Sequence, residues 1–203
     1  MTVGPKKAPR LAEADAGARS WPDDRLVREC LNGNEDAWHA LIQKYKRLIY
    51  SIPLKYRASP EDAADIFQAV CLELFSELPN LRKVESLTSW IITVASHKSY
   101  HWKKQQRMTD LNLDGVDAQT AEELLPTLAP EVIEDLERQQ MVRDAIAKLP
   151  ARCAEMVRLL FYEHPPVPYS DVAKRLGLAV GSIGFIRGRC LKRLQKILAD
   201  MGF

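Results

Sequence analysis

Two stretches of this 203-residue chain carry side chains suited to holding nucleic acid. In Trp90 to Arg107, WIITVASHKSYHWKKQQR, helical spacing gathers Thr93, Ser96, His97, Tyr100, His101, Lys103, Lys104 and Arg107 on one arc. Trp90, Ile91, Val94, Ala95 and Trp102 fall on the other. Aromatic and imidazole rings interleaved with cations suit stacking on unpaired bases beside a phosphate backbone. The bland reading is that both Trp residues pack and the lysines are solvated, and for Trp90 packing is favoured. The second stretch runs from Tyr169 to Ala199. Between Lys174 and Lys196 every charge is basic, as a helix lying near phosphates requires. Wheel positions there place Ser182, Phe185, Arg189, Lys192 and Lys196 together, opposite an apolar stripe of Ile183, Ile186, Cys190, Leu191, Leu194, Ile197 and Leu198. An ordinary solvated basic helix is the alternative. The short capped helix, Gly-containing turn and one-sided charge occurring together favour DNA contact.

Catalytic chemistry has weaker support. His97 and His101 stand four apart, a spacing that can hold a metal, but the residues between them are Lys-Ser-Tyr, with no Glu as in a zincin and no third ligand nearby. Gly181, Gly184 and Gly188 lie inside the basic helix and follow no strand, so they form no phosphate loop. The chain is expected to bind without catalysis of its own, with no metal and no cofactor.

The elements that must position these residues read as helices, with no strand pattern and no internal repeat. Residues 1–22, rich in Ala, Gly and Pro, read as a disordered tail. Asp23 and Asp24 open a short helix carrying Leu26, Val27, Cys30 and Leu31, ended by Asn32-Gly33-Asn34. A longer helix from Glu35 to about Tyr56 carries Trp38, Leu41, Ile42, Tyr45, Leu48 and Ile49, and Pro53 should kink or end it. Ser59-Pro60-Glu61-Asp62 is a start signal with a capping Ser, Pro at the first helical position and acids in the first turn. The helix it opens turns Ala63, Ile66, Phe67, Val70, Cys71 and Leu74 inward. Its outward face carries Glu61, Asp65, Gln68 and Leu72, a docking surface or a solvated face with equal support from pattern. Thr88 or Ser89 is expected to cap the Trp90 helix.

From Asp110 to Glu137 the chain has nine acids, no Lys or Arg, and Pro126 and Pro130, the composition of a linker at least partly extended. A helix from about Glu131 to Lys148 follows, then one from Ala151 to Tyr162 burying Met156, Val157, Leu160 and Phe161. In the helix-turn-helix Ser170 is expected to cap the first helix, Val172, Ala173 and Leu176 to face inward, and Gly177 to end it. The expected organisation is therefore a tail at 1–22, a helical domain at 23–108, an acidic linker at 109–130 and a helix-turn-helix domain at 131–203.

Composition sets outer bounds. With 46% hydrophobic residues the chain can bury real cores, and the net charge of +2 conceals strong segregation. Cys30, Cys71, Cys153 and Cys190 are widely spaced and read as small buried residues of a reducing compartment, not a disulfide framework or a zinc site. With no long apolar run, neither a membrane span nor a signal peptide is expected, and the chain should be soluble and intracellular.

With these residues assembled, the chain resembles the extracytoplasmic-function group of bacterial RNA polymerase sigma factors. DAADIFQAVCLELF, Asp62 to Phe75, is similar to the family's polymerase-binding helix with its Asp-x-x-Gln core. WIITVASHKSYHWKKQQR is similar to the Trp-led promoter-melting helix. LPARCAEMVRLLF followed by YSDVAKRLGLAVGSIGFIRGRCLKRL is similar to the C-terminal promoter-binding domain. The blocks occur in the family's order and span nearly everything from Asp23 to Leu198. The resemblance implies an all-α fold of two small helical domains, a sigma domain 2-like bundle and a domain 4-like helix-turn-helix, joined by the acidic linker. It implies that Asp62, Asp65, Gln68 and Leu72 dock on the clamp helices of the polymerase's largest subunit. His97, Lys98, His101, Lys103, Lys104 and Arg107 would engage the minus-ten element. Ser182, Phe185, Arg187, Arg189, Lys192 and Lys196 would engage the minus-thirty-five element. The partners implied are core polymerase and promoter DNA in a bacterial cytoplasm at the nucleoid, with an anti-sigma factor in many relatives.

Departures from the family pattern are specific. His97 and His101 stand where the family commonly has Asn and Asp, and Ala179 stands where a Ser often caps the recognition helix. Gly184 and Ile186 replace early basic residues, and Arg187 falls near the apolar stripe. Two competing readings are a free-standing helix-turn-helix regulator and a non-initiating antagonist or adaptor of polymerase. The first leaves the Asp62 to Phe75 surface and the Trp90 helix unexplained.

Overall fold

Why the long second helix forms where it does is legible at its two ends. The structure, a computed structural model, describes residues 21–81, 83–110 and 128–203; most of the expected tail and the acidic stretch 111–127 lie outside them. Helix α1 spans Asp23–Leu31 and α2 spans Glu35–Lys55. Between them Gly33 adopts φ 79°, a left-handed conformation that costs Gly nothing, and the Asn34 side chain accepts the Ala37 N–H at 3.2 Å to cap α2. Pro53 sits inside the last turn of α2, where the chain ends the helix two residues later. Helix α3 spans Pro60–Glu77 and α4 spans Leu87–Asp110.

These helices enclose one core. Leu26, Leu41, Tyr45, Leu48, Ile49, Ile66, Val70, Leu74, Ile91, Ile92 and Ala95 are all buried in it. Burial of a side chain of this kind stabilises by about 1.5–3 kcal/mol. Tyr45 is fully buried, and its hydroxyl donates to Asp23 at 3.0 Å and lies 3.3 Å from Thr88 Oγ1. Asp23 also accepts from Lys44 at 2.9 Å. This polar knot ties α1, α2 and α4 together and leaves the phenol satisfied.

The start of α4 differs from expectation. The helix begins at Leu87 after a 3-10 turn at Val84–Ser86, so Thr88 and Ser89 lie inside it. Leu87 is 1% exposed, and burying it fixes the entry of the helix three residues before Trp90. Trp21, placed in the expected tail, packs partly buried against the core and under the Arg25 guanidinium, 3.7 Å from its ring centroid.

Helix α5 spans Pro130–Ala147, and the division between two compact units, Met1–Glu137 and Arg138–Phe203, falls inside it. Leu128, Val132, Ile133 and Leu136 belong to the first unit's core, Leu136 fully buried. The helix expected from about Glu131 to Lys148 is therefore present, but its first turns, in the acidic stretch and expected in the second domain, pack into the core of the first unit.

In the second unit α6 spans Ala151–Phe161, α7 spans Tyr169–Leu176 and α8 spans Ile183–Asp200. Met156, Leu159, Val172, Ala173, Ile183 and Cys190 form one buried cluster, and Ile146, Leu149, Ala154 and Val157 another. Phe161, expected inward, is 52% exposed at the last helical position, and Leu159 is buried instead. Leu191 is 36% exposed because it lies at the edge of the stripe, well round the helix from Ile183 and Cys190. Ser170 is not the cap. The helix starts at Tyr169 after Pro168, which supplies extended backbone and no side-chain acceptor.

The cysteines require a correction. Cys153 of α6 and Cys190 of α8, 5.3 Å apart at Cα, form a disulfide, whereas Cys30 and Cys71 are free. Wide spacing in sequence concealed a close approach made by helix packing. Burial pushes the Cys30 thiol up to about 12 and raises that of Cys71 as well, which keeps both protonated and unreactive. All described helices agree with the expected all-α fold, and no described residue lies in a strand.

Candidate functional site

Three surfaces are built by these helices. On α3, Ser59 caps the start: its Oγ accepts the Asp62 N–H at 3.1 Å and donates to Asp62 Oδ2 at 2.6 Å. That hydrogen bond holds the Asp62 carboxyl below the usual carboxylate range. A carboxyl with a lowered pKa in the fold adds stability above its unfolded pKa, and the contribution disappears as pH falls through the folded value. Asp62→Asn is therefore expected to lower the melting temperature at neutral pH, with the gap to the parent closing on acidification. Thermal melts across that range check it, and a constant gap removes the pH-linked role of the cap. Asp62 thus serves the helix start, a role the resemblance did not suggest.

Asp65, Gln68 and Leu72 are exposed along one outward face of α3, Leu72 at 73%. Phe75 continues this face with 64% exposure, its ring 5.1 Å from that of Trp38 on α2. Phe75 is not among the expected docking residues, although its position three after Leu72 puts it on the same face.

Helix α4 presents the second surface. His97 and His101 are exposed with Nε2 atoms 3.0 Å apart, one ring's N–H donating to the other, and Tyr100 meets His101 edge-on at 5.6 Å between ring centres. A ring cluster is thus displayed where stacking on bases was expected. Lys98 does not join it. Its ammonium pairs with Glu73 of α3 at 2.6 Å, within the domain. Lys103 lies 5.6 Å from the Trp102 ring, Lys104 is half-buried and Arg107 is exposed. Among the described residues no group of three His, Cys, Asp or Glu side chains could hold a metal ion.

The third surface is the helix-turn-helix. Gly177 ends α7 at φ 62°, ψ 45°, and Leu178 N–H returns to the Ala173 carbonyl at 2.8 Å, so the chain reverses within a short turn. A 3-10 turn at Val180–Ser182 leads into α8. With Ala179 unable to cap, Ser182 Oγ donates to the Ala179 carbonyl at 2.7 Å. Phe185, Arg189, Lys192 and Lys196 are exposed together. Arg187 is exposed on another side, where its guanidinium donates to the Tyr169 hydroxyl of α7 at 2.5 Å. The structure therefore brings five of the six expected contacts to one face and sets Arg187 apart.

Gly188 lies beside that face, and a Cβ there would meet nothing within 4 Å. Gly188→Ala is expected to raise the stability of this unit by about 1 kcal/mol, seen as a higher denaturation midpoint. Unchanged or lower stability would show that the glycine serves the fold itself.

Comparison with known proteins follows the same division. A family model described as Sigma-70 region 2 matches residues 41–109, the stretch that carries α3, α4 and most of α2. The RNA polymerase sigma-H factor of Pseudomonas aeruginosa is 23% identical over 186 residues, covering 88% of this chain and 95% of that protein. The ECF RNA polymerase sigma factor SigW of Bacillus subtilis is 20% identical over 186 residues, covering 87% and 97%. Identity this low carries no residue-level assignment, but the similarity runs nearly end to end. Residues 41–109 thus match Sigma-70 region 2, and the chain as a whole, with its all-helical first unit and basic helix-turn-helix, is similar nearly end to end to bacterial RNA polymerase sigma factors, one of them of the ECF group.

Proposed function

We propose that this chain binds core RNA polymerase, directs it to promoters, helps to melt them and so initiates transcription, with no catalysis of its own. The observation that carries the reading is the pair of surfaces on successive helices of the region 2 match. An acidic and apolar face stands on α3, and rings with cations stand on α4. Asp65, Gln68 and Leu72, with Phe75, dock on the clamp helices of the largest polymerase subunit. His97 and His101, with Lys103, Lys104 and Arg107, engage the minus-ten element and its unwound strand. Ser182, Phe185, Arg189, Lys192 and Lys196 meet the minus-thirty-five element. Residues 23–108 and 131–203 serve as the two binding domains, joined by the acidic segment 109–130, with residues 131–137 packed on the first of them. The site of action is the bacterial cytoplasm at the nucleoid, and an anti-sigma factor covering the α3 face fits the family.

Transcription from a genomic fragment library with purified bacterial core polymerase, with and without the chain, tests this. New start sites only in its presence support the reading. Core association without new starts indicates an antagonist, and DNA binding without core indicates a free-standing regulator. In the same assay Lys192→Ala is expected to weaken promoter binding about equally across sequences and to reduce the salt slope by about one unit. A loss confined to one base position would assign Lys192 to base reading instead.

A further inference from the structure

We propose that Phe185 reads sequence: its ring contacts the C5-methyl group of a thymine in the major groove of the upstream promoter element. The inference rests on the sigma-factor reading above and names the base feature that one residue recognises.

Phe185 is the third residue of α8 and is 71% exposed, while neither buried cluster of its unit includes it. A phenyl ring left in water contributes nothing to the fold, since its area is not removed from solvent. It stands in the first turn of the helix that follows the Gly177 turn, with Arg189, Lys192 and Lys196 exposed on the same side. The Arg189 guanidinium lies 5.9 Å from the ring centroid, over its face, so cation and ring approach a partner together. A surface this basic selects a polyanion as that partner.

What the ring can recognise there is limited by its chemistry. Phenyl has no hydrogen-bond donor or acceptor, so the donor and acceptor patterns of the base edges are invisible to it. The one apolar group on any base edge in the major groove is the thymine methyl. Gly184, immediately before Phe185, has open space around its Cβ position. With no side chain at 184, the ring of Phe185 has no neighbour from the preceding position to cover it. The cations of the same face then fix its register by holding phosphates, which carry no sequence information themselves.

The experiment uses holoenzyme assembled from core polymerase and the full chain, on promoters located by the start sites that the chain creates. Each thymine of the upstream element is replaced singly by uracil, which removes only the methyl, and binding is titrated for the parent and for Phe185→Ala. At one position the parent is expected to lose about fourfold in affinity, the worth of one buried methyl-sized group. Phe185→Ala is expected to bind thymine and uracil templates equally, and Phe185→Leu to restore part of the discrimination. Exposure of the ring makes loss of folding in these variants unexpected, and circular dichroism melts verify it. No sensitive position, or equal sensitivity in Phe185→Ala, overturns the proposal. So does a loss of core association in Phe185→Ala, which would assign the ring to a protein interface. If no start sites arise at all, the sigma-factor reading falls and this one with it; start sites without a methyl effect overturn this one alone.

Discussion

Asp65→Arg is expected to weaken association with core polymerase by about 2 kcal/mol, roughly a thirtyfold rise in Kd. The carboxylate stands exposed on α3, one turn before Gln68 and two before Leu72, on a face that shares nothing with the buried residues Ala63, Ile66, Val70 and Leu74. Arg at that position places a cation where an acceptor is proposed to meet basic clamp residues. Because the side chain is outside the core, the melting temperature should stay close to that of the parent, surface changes of this kind costing under about 0.5 kcal/mol. Fluorescence titration of the labelled chain with core enzyme measures the effect. An unchanged Kd with intact folding would remove this face as the docking surface, whatever the protein does on DNA.

Reduction of the Cys153–Cys190 bond is expected to destabilise the second unit by about 4 kcal/mol. The bond closes a loop across a sequence separation of 37 residues, and the entropy that such a link removes from the unfolded chain is worth roughly that much. It joins α6 to α8, so the helix proposed to enter the major groove is fastened to the helix beneath it. Denaturant unfolding with and without reductant, followed by circular dichroism, checks the magnitude, and Cys153→Ala should reproduce the reduced curve. Thiol titration of the unfolded, unreduced chain should find Cys30 and Cys71 only. Four titratable thiols would show that the two sulfurs meet as neighbours and not as a bond.

Much of the local structure was written in short-range patterns. Ser59-Pro60-Glu61-Asp62 named both a helix start and its cap, because capping depends on residues three apart. Gly33 and Gly177 marked their turns because positive φ is costly for other residues. The outward positions of Asp65, Gln68 and Leu72 followed from helical period alone and proved exposed. The exposed ring cluster of α4 and the basic face of α8 were readable in the same way.

Contacts between elements were beyond reach of such patterns. The resemblance counts Lys98 among the minus-ten contacts, but the packing of α3 beside α4 brings Glu73 within 2.6 Å and commits the ammonium there. Helical period already set Arg187 off the basic face, although the resemblance counts it among the minus-thirty-five contacts; only the approach of α7 supplies its partner, the Tyr169 hydroxyl. Leu128 lies in the stretch read as linker, and Val132 and Leu136 in a helix expected to belong to the second domain, yet all three pack against the core of the first unit. Cys153 and Cys190 were distant in the chain and adjacent in space. Helical period and capping are properties of a few neighbouring residues, so the amino-acid sequence determined the helices, their faces and the signs of charge on them. Which of those charged and apolar groups remain available to a partner depends on what the other helices bring to meet them, and that was decided by the tertiary fold.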